Sequence, residues 1–183
     1  MKIDEINDVF AEADLLVSGA EVATAIRRMA EEITVQLKES DPVLICVMNG
    51  GLIFSGQLLT RLAFPLEVDY VHATRYGHAT TGGGLDWIVK PQLGLKGRTV
   101  LLLDDILDEG ITLAAIADYC RQQGAAMVLM AVLVEKLHLR KVTPGMRADF
   151  TGIEVGDRFL FGYGLDYKGH WRNAPGIYAV KGL

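Results

Sequence analysis

Residues 100–112 read VLLLDDILDEGIT, an apolar run that leads into three aspartates and the start of a turn. The four aliphatic residues at 100–103 predict a strand that is buried on both faces, as in parallel sheets. The acidic residues can be interpreted either as the soluble end of that strand or as the support of a site for a metal-bound, phosphorylated ligand. Gly110 allows a tight turn, and successive N–H groups at the start of a helix can surround a phosphate.

A hydrophobic strand that ends in Asp-Asp also occurs in response regulators and in the Walker B elements of nucleoside triphosphatases. The strand alone does not separate these possibilities. The sequence contains no GxxxxGK[ST] motif, which would form the phosphate cradle of a P-loop enzyme. Residues 108–112 instead form the strand-to-helix turn themselves, and the Thr112 hydroxyl can add one more donor.

The residues on both sides of this stretch predict alternating strands and helices. Ser18 and Glu21 have the spacing of a capping box, and apolar residues at helical intervals then predict a helix that ends near Ser40. Strand patterns occur at 43–48, 66–75, 86–91, 100–103 and 126–136, and helix patterns at 51–64 and 112–124. This alternation predicts an α/β fold with a parallel central sheet, in which the strand at 66–75 lies near an edge.

Two of the predicted strands are followed by unusual residues. Asn49-Gly50-Gly51 follows the first strand, and the acidic stretch follows the fourth. In open parallel sheets, ligands bind outside the carboxyl ends of the strands, so both features fall where a site is expected. After Pro144-Gly145 the pattern changes to short β-like segments, and no repeat or linker divides the chain.

Length and composition limit the class of protein. A chain of 183 residues, half of them hydrophobic, can bury the core of one domain. The net charge of −5 argues against general nucleic-acid binding, and no apolar run reaches the ~20 residues that span a membrane. Cys46 and Cys120 lie far apart among apolar neighbours, as core thiols do. The acidic N-terminal segment is unlike a targeting peptide, so we expect a soluble, cytoplasmic protein.

The residues at 100–112 resemble the phosphoribosyl-pyrophosphate (PRPP) signature of type I phosphoribosyltransferases. Matching features extend over most of the chain. Asn49-Gly50-Gly51 is similar to the pyrophosphate loop of that family, and the stretch from Arg75 through the following glycines is similar to its flexible catalytic loop. Three further features resemble the purine-binding half of the hypoxanthine-guanine subfamily: LVEK (133–136), DRFLFGYGLDY (157–167) and Arg172.

The resemblance implies a fold and a reaction. The fold is a central parallel sheet flanked by helices, in a single domain over 1–183 with a core at about 38–145 and a small hood from about 1–20 and 146–183. In the reaction, a nitrogen of hypoxanthine or guanine displaces pyrophosphate from the ribose of PRPP, giving a nucleoside monophosphate in purine salvage. Mg²⁺ is the implied cofactor. Nucleic acid and membranes are not expected partners, and a homodimer or homotetramer is expected.

The family's roles for the ribose and its phosphate fall on the acidic strand and turn. Asp104 and Asp105 match the pair that holds the ribose hydroxyls, partly through metal-bound water. Asp108 matches the catalytic residue beside purine N7, where a carboxylate can accept a proton, although a plain helix N-cap is the alternative for it. The phosphate is expected on the turn formed by Glu109, Gly110, Ile111 and Thr112.

The family's roles for the purine fall on the C-terminal half. Lys136 matches a donor to purine O6, which favours hypoxanthine, guanine or xanthine over adenine. Phe159 would stack on the purine, although such a ring could equally belong to the core, and Leu160 would offer main-chain groups to the purine edge. Asp166 would lie by the purine and coordinate the magnesium that carries pyrophosphate, in a metal site with Asp104 and Asp105.

The family's roles for pyrophosphate fall on Asn49, Gly50 and Arg172. The HATTGGG stretch (78–84), which follows Arg75 and Tyr76 of the same flexible loop, has no periodicity and predicts a lid that closes over the substrates and brings Tyr76 near the reacting centre. An ordinary hairpin connection is the alternative for this stretch.

The sequence departs from the family pattern at three positions. Glu109 and Ile111 stand where the family usually has threonine and a basic residue, so we expect the main chain to bind phosphate at Glu109. Asn49 stands where many relatives have lysine or arginine, which leaves more of the charge neutralisation to magnesium and Arg172. These residues do not rank hypoxanthine, guanine and xanthine.

A second function, from a different class, is a nucleotide-sensing regulator that has the same fold and binds RNA or DNA. Such a protein could dispense with Asp108, Lys136 or Arg172 and would have a basic surface. This chain keeps all three residues and is acidic, so an enzyme is favoured. A pyrimidine substrate is disfavoured by the segments around Lys136 and Phe159.

Overall fold

The computed structural model describes residues 3–75 and 85–182, with only the backbone of Arg75. The helices are α1 (Ile3–Glu12), α2 (Gly19–Leu37), α3 (Gly51–Leu59) and α4 (Ile111–Gln122). The strands are β1 (Asp14–Val17), β2 (Val43–Met48), β3 (Glu67–Arg75), β4 (Leu85–Val89), β5 (Thr99–Leu107), β6 (Met127–Lys136), β7 (Phe150–Val155), β8 (Leu160–Phe161) and β9 (Ile177–Ala179). Within the described ranges, no helix has the length and apolar character needed to cross a membrane.

A six-stranded sheet in the order β4-β3-β2-β5-β6-β7 lies at the centre of the molecule. The strands from β3 to β7 in that order run parallel, and β4 pairs antiparallel with β3 at one edge. The predicted α/β fold with a parallel central sheet is therefore confirmed, and β3 lies next to an edge as expected. The helix predicted at 51–64 is shorter, because α3 ends at Leu59.

The aliphatic run of β5 is buried on both faces of the sheet. Leu101 and Leu103 pack in the cluster that contains the apolar residues of α2 and α3, whereas Val100 and Leu102 pack in the cluster that contains those of α4. A strand that is covered on both faces has no position for an alternating polar residue. Each of these side chains stabilises the fold by about 1.5–3 kcal/mol through its burial.

The capping box at the start of α2 is present. The N–H of Ser18 donates to Oε2 of Glu21 at 2.8 Å, and the N–H of Glu21 donates to Oγ of Ser18 at 3.4 Å. Both cysteines are free and buried, as expected of core thiols, and burial raises the pKa of Cys120 to about 11.

The strand β5 is longer than the sequence predicted. The apolar run suggested an end at Leu103, but β5 continues to Leu107, and β6 pairs with it over that whole length. Pairing with β2 ends at Cys46 and Leu103, because the chain of β2 turns away into α3 soon afterwards. Asp104 and Asp105 therefore lie beside β6 on one side and against Gly50 and Gly51, at the start of α3, on the other.

A second sheet, in the order β1-β9-β8, combines the two ends of the described chain. Aromatic rings pack α1 against this second sheet. Phe10 stacks on Trp171 with ring centroids 4.5 Å apart, and its centroid lies 5.0 Å from that of Tyr178. The indole N–H of Trp171 also donates to the carbonyl oxygen of Ile6 at 2.7 Å. The strand β7 lies in the segment that was expected to form a hood, but it joins the large sheet.

Candidate functional site

A cleft of about 500 Å³ opens at the carboxyl ends of the central strands. The ends of β2, β3 and β5, the start of α4 and the segment around Asp166 contribute its walls. Predicted site residues that line it are Asn49, Gly50, Asp104, Asp105, Asp108, Glu109, Gly110, Ile111, Thr112, Asp166 and Arg172. The structure thus brings together the expected ribose-phosphate and pyrophosphate residues, which are distant in sequence.

The turn before α4 has the geometry of an anion site. Gly110 is the N-cap of α4 and has a φ of +82°, which a glycine adopts without strain. It has no side chain to cap the first-turn N–H groups, and Gly110, Ile111 and Thr112 line the large cleft. Asp108 is therefore not the helix N-cap. The alternative reading of Asp108 is wrong because the cap position falls two residues later.

Asp104 and Asp105 are a buried acidic pair. Burial, and then the charge of Asp105, raises the pKa of Asp104 well above its ordinary value. Burial also raises the pKa of Asp105, although a hydrogen bond from Asp104 and the charge of Arg172 oppose this effect. Two adjacent carboxyl groups in a buried position favour the arrival of a cation, because burial disfavours the ionised form of both.

Arg172 joins the C-terminal segment to this acidic pair. One guanidinium nitrogen donates to the carbonyl oxygen of Gly164 at 2.6 Å and lies 3.9 Å from Oδ2 of Asp105. The other forms an ion pair with Asp166 at 2.5 Å. Arg172 is partly exposed to the cleft, where its planar group of donors can also bind an oxyanion.

At Gly50, three segments of the chain approach one another so closely that a side chain would not fit. A Cβ atom on Gly50 would overlap the carboxylate of Asp105, and a Cβ atom on Gly164 would overlap the carbonyl oxygen of Gly50. Only bare backbone fits between these segments. The side chain of Asn49 is exposed and lines the large cleft, so this loop offers an amide and main-chain groups but no charge.

A second cleft of about 210 Å³ continues from the first and contains the residues expected to bind a purine. Its walls include Lys136, Phe159 and Leu160, and it shares Asp105, Ile106, Asp108 and Asp166 with the large cleft. The side chain of Phe159 is 43% exposed, so the alternative that places this ring in the core is wrong. Leu160 is buried within β8.

Asp108 stands on the shared wall and has two cationic or hydrogen-bonding partners. Its Oδ2 is 3.0 Å from Nζ of Lys136, and its Oδ1 is 2.6 Å from Nε2 of His138. Burial works to raise the pKa of Asp108, but the hydrogen bonds from His138 and Lys136 and the charge of Lys136 outweigh it, so the pKa lies below its ordinary value. A carboxylate that stays ionised at neutral pH can act as a proton acceptor.

Two groups of side chains at the site differ in how well they could bind a metal ion. Among the described residues, Asp108, His138 and Asp157 are the one group of three whose ligand atoms lie within 4.8 Å of one another. Lys136 lies 3.0 Å from Asp108 and 3.9 Å from Asp157, so an ammonium already supplies a positive charge there. The buried pair of Asp104 and Asp105 offers hard oxygen ligands next to the open cleft, which suits Mg²⁺ better.

Several residues near the site were missed by the sequence reasoning. His72 and Thr74 of β3 line the large cleft, and the common edge at which parallel strands end could have indicated them. His138 lies two residues beyond Lys136, on the same side of an extended chain, and this spacing was its only signal. Tyr76 and the expected lid at 78–84 lie outside the described residues, as does the side chain of Arg75.

Comparison with known proteins gives consistent matches over almost the whole chain. The phosphoribosyl transferase domain family matches residues 13–168. A hypoxanthine-guanine phosphoribosyltransferase of Bacillus subtilis is 33% identical over 168 residues, which are 91% of this chain and 92% of that protein. The enzyme of that name from Aquifex aeolicus is 32% identical over 169 residues, which are 91% of this chain and 94% of its own.

One solved structure supports the same comparison in three dimensions. A hypoxanthine-guanine-xanthine phosphoribosyltransferase superposes on this chain with a TM-score of 0.83 and 28% sequence identity. The superposition covers 92% of this chain and 96% of the other.

Proposed function

Because the chain belongs to the phosphoribosyl transferase domain family, we propose that it is a purine salvage enzyme that joins hypoxanthine, guanine or both to PRPP. The products are the nucleoside monophosphate, IMP or GMP, and pyrophosphate. The observation that carries this proposal is the pair of joined clefts with Asp108 on their common wall. A sugar phosphate in the large cleft and a base in the small one would meet beside its carboxylate.

The residues of the large cleft suit the sugar phosphate. The N–H groups at the start of α4 and the Thr112 hydroxyl would bind the 5′-phosphate, and Asp104 and Asp105 would bind the ribose hydroxyls. Arg172 and the main chain at Asn49 and Gly50 would bind pyrophosphate. The carbonyl of Glu109 accepts a hydrogen bond from the N–H of Val142 at 2.7 Å, which fixes the backbone of the turn.

The residues of the small cleft suit a 6-oxopurine. Phe159 would stack on the ring, Leu160 would border its edge and Lys136 would donate to O6. In the reaction, the bond between the purine nitrogen and ribose C1 forms while the bond between C1 and the pyrophosphate oxygen breaks. Asp108 accepts the proton that the purine loses, and the leaving pyrophosphate takes the electron pair of the broken bond.

Mg²⁺ is proposed as the cofactor, held by Asp104, Asp105 and Asp166 together with oxygens of the substrate. The raised pKa values of the buried pair are the structural support, because a bound cation would stabilise the ionised carboxylates that burial disfavours. When bound, the ion would neutralise charge on the pyrophosphate leaving group. The cytoplasmic location, the homodimeric or homotetrameric assembly, and the division into a core and a hood stay predictions.

The test is to incubate the protein with Mg²⁺ and PRPP and to supply one base at a time: hypoxanthine, guanine, xanthine, adenine or uracil. Nucleotide is expected with hypoxanthine or guanine and not with adenine, because an exocyclic amine at C6 would face the Lys136 donor. The yields with the first three bases would also rank the 6-oxopurines.

A protein that binds PRPP or nucleotide but forms no nucleotide from any base would contradict the proposal and favour a nucleotide-sensing regulator. Efficient use of adenine or uracil would instead contradict the assignment of Lys136. Omission of Mg²⁺ with added chelator serves as the control for the cofactor, and full activity under those conditions would remove it.

A further inference from the structure

His138 is a buried side chain at the site to which the reaction above gives no role. It follows the end of β6 by two residues, and its side chain is only 5% exposed. Nε2 of His138 lies 2.6 Å from Oδ1 of Asp108, while Lys136 contacts the other oxygen, Oδ2, at 3.0 Å. The two oxygens of the carboxylate therefore have different partners.

The hydrogen bonds of the imidazole determine which of its nitrogens carries the proton. The backbone N–H of Arg140 donates to Nδ1 at 3.1 Å, so Nδ1 must present its lone pair. In the neutral ring the proton is then on Nε2, which donates to Asp108. Arg140 is itself fixed by an ion pair with Asp157, in which one guanidinium N–H donates to Oδ1 at 3.0 Å. The main chain thus orients the ring, and the ring orients the carboxylate.

We propose that His138 is a positioning residue for the catalytic carboxylate, holding Oδ1 of Asp108 so that Oδ2 is directed toward the base. The proposal rests on the proposed function, in which Asp108 accepts the purine proton. That proton moves to Oδ2, the electron pair of its N–H bond stays with the purine, and His138 neither gains nor loses a proton.

The hydrogen bond from His138 is favourable whether Asp108 is ionised or protonated, whereas the ion pair with Lys136 requires the ionised carboxylate. Before proton transfer, Oδ1 accepts the Nε2–H bond as a carboxylate oxygen, and afterwards it accepts the same bond as the carbonyl oxygen of the acid. The ion pair with Lys136 loses its Coulombic attraction once Asp108 is neutral, and the ammonium also serves purine O6. His138 can therefore keep the orientation of Asp108 in both directions of a reversible reaction.

Two amide variants separate the contacts of the imidazole. In His138→Gln, the amide nitrogen can occupy the position of Nε2 and donate to Asp108. In His138→Asn, the amide oxygen can occupy the position of Nδ1 and accept from Arg140, but the side chain no longer supplies a donor to Oδ1 of Asp108. We expect His138→Asn to lower kcat about tenfold or more, the scale of a lost hydrogen bond to a charged group, with little change in the KM for PRPP. His138→Gln should restore most of kcat.

A pH profile of kcat/KM gives a readout that a purely structural role would not change. The charged and titratable groups around the Asp108 carboxylate are Lys136, His138, Arg140, Lys141, Asp157 and the adjacent Glu109. The hydrogen bond from His138 lowers the pKa of Asp108, so its loss raises that pKa. The acidic limb of the profile should therefore move to higher pH in His138→Asn, and stay near its wild-type position in His138→Gln.

Thermal unfolding of both variants checks that they are folded. A His138→Asn variant with wild-type kcat and pH profile would overturn the proposal, and so would a folded His138→Gln variant that is no better than His138→Asn. Equal losses in kcat and in affinity for PRPP would also overturn it, because they would indicate a general disturbance of the site and not a loss of the orientation of Asp108. A wild-type protein that forms no nucleotide would instead remove the proposed function, and the positioning role with it.

Discussion

At the scale of single residues, the site depends on side chains whose environments differ although their chemistry is the same. Asp104, Asp105 and Asp108 belong to one short stretch, yet burial raises the pKa of the first two while the pKa of Asp108 is lowered. Burial acts on all three, and only Asp108 has both an ammonium and an imidazole within hydrogen-bonding distance. The pair is thereby suited to cations, and the third residue to accepting a proton.

Asp108→Asn should lower turnover with hypoxanthine by about a hundredfold or more, the usual scale for a general base, while PRPP still binds. Steady-state kinetics with each substrate varied would measure both effects. The matched control is Asp118→Asn, since Asp118 is an exposed acid of α4 that lines neither cleft, and an exposed ion pair such as its contact with Arg121 contributes about 0.2–1 kcal/mol. Near-normal turnover of Asp108→Asn would remove the assignment of the base.

Lys136→Ala should weaken the binding of IMP by about 1.5–3 kcal/mol, because a charged donor to a carbonyl oxygen is lost. Binding of ribose 5-phosphate, which lacks the base, should change little. Titration calorimetry with the two ligands isolates the contribution of the base. Equal affinities of the mutant and wild-type proteins for IMP would mean that Lys136 only pairs with Asp108.

At the scale of secondary-structure elements, the strands and helices around the site follow from hydrophobic pattern and from turn chemistry. The burial of β5 on both faces, the start of α2 directly after Ser18 and the end of α4 shortly before Gly124 were predictable because each depends on local sequence. The continuation of β5 through Asp104 and Asp105 was not predictable from the chain itself. It depends on pairing with β6, which supplies hydrogen bonds that the polar residues would otherwise take from water.

Gly110→Ala tests the turn that opens α4. The residue has a positive φ, and an added Cβ would lie 2.6 Å from Sδ of Met146 and 3.0 Å from Cδ1 of Leu107. Gly145→Ala is the control, because Gly145 has a φ of +76° but no atom of the described residues lies within 4 Å of the added carbon. The control should lose about 1–2 kcal/mol of unfolding free energy from backbone strain alone.

Gly110→Ala should lose about 1–3 kcal/mol more than the control, because the methyl group is forced against packed atoms. It should also raise the KM for PRPP, since the N–H groups of the turn are displaced. Urea unfolding and substrate kinetics measure the two effects. If both variants behave alike, crowding at Gly110 is unimportant and only its backbone conformation matters.

At the scale of the whole molecule, the site is formed between the large sheet and the segments that follow β7. The large sheet supplies the acidic stretch and Lys136, whereas the later segments supply Phe159, Asp166 and Arg172. The identities of these residues could be predicted from motifs and resemblance, but their mutual contacts could not. Hydrogen bonds such as that between Asp108 and His138 connect residues far apart in sequence, and no local pattern encodes their distance.

Phe10→Ala tests whether α1 helps to hold Arg172. Phe10 stacks on Trp171, the neighbour of Arg172, and is only partly exposed. Its truncation should cost about 2 kcal/mol of unfolding free energy, somewhat less than for a fully buried ring, and should raise the KM for PRPP. Trp171 fluorescence in a Trp87→Phe background would report the loss of the stacked ring.

The control for Phe10→Ala is Val35→Ala, because Val35 is 81% exposed on α2 and its truncation should change stability by less than about 0.5 kcal/mol. An unchanged KM for PRPP in a destabilised Phe10→Ala protein would show that α1 stabilises the small sheet without affecting Arg172.

The half-exposed ring of Phe159 gives base binding a thermal signature. Phe159 is 43% exposed and lines the small cleft together with Leu160 and Leu165. A planar base that stacks there removes apolar surface from water, and this removal gives a negative heat-capacity change. Binding of the base must therefore become more exothermic as temperature rises. The sugar phosphate meets charged groups and N–H donors, so the enthalpy of its binding should change less with temperature.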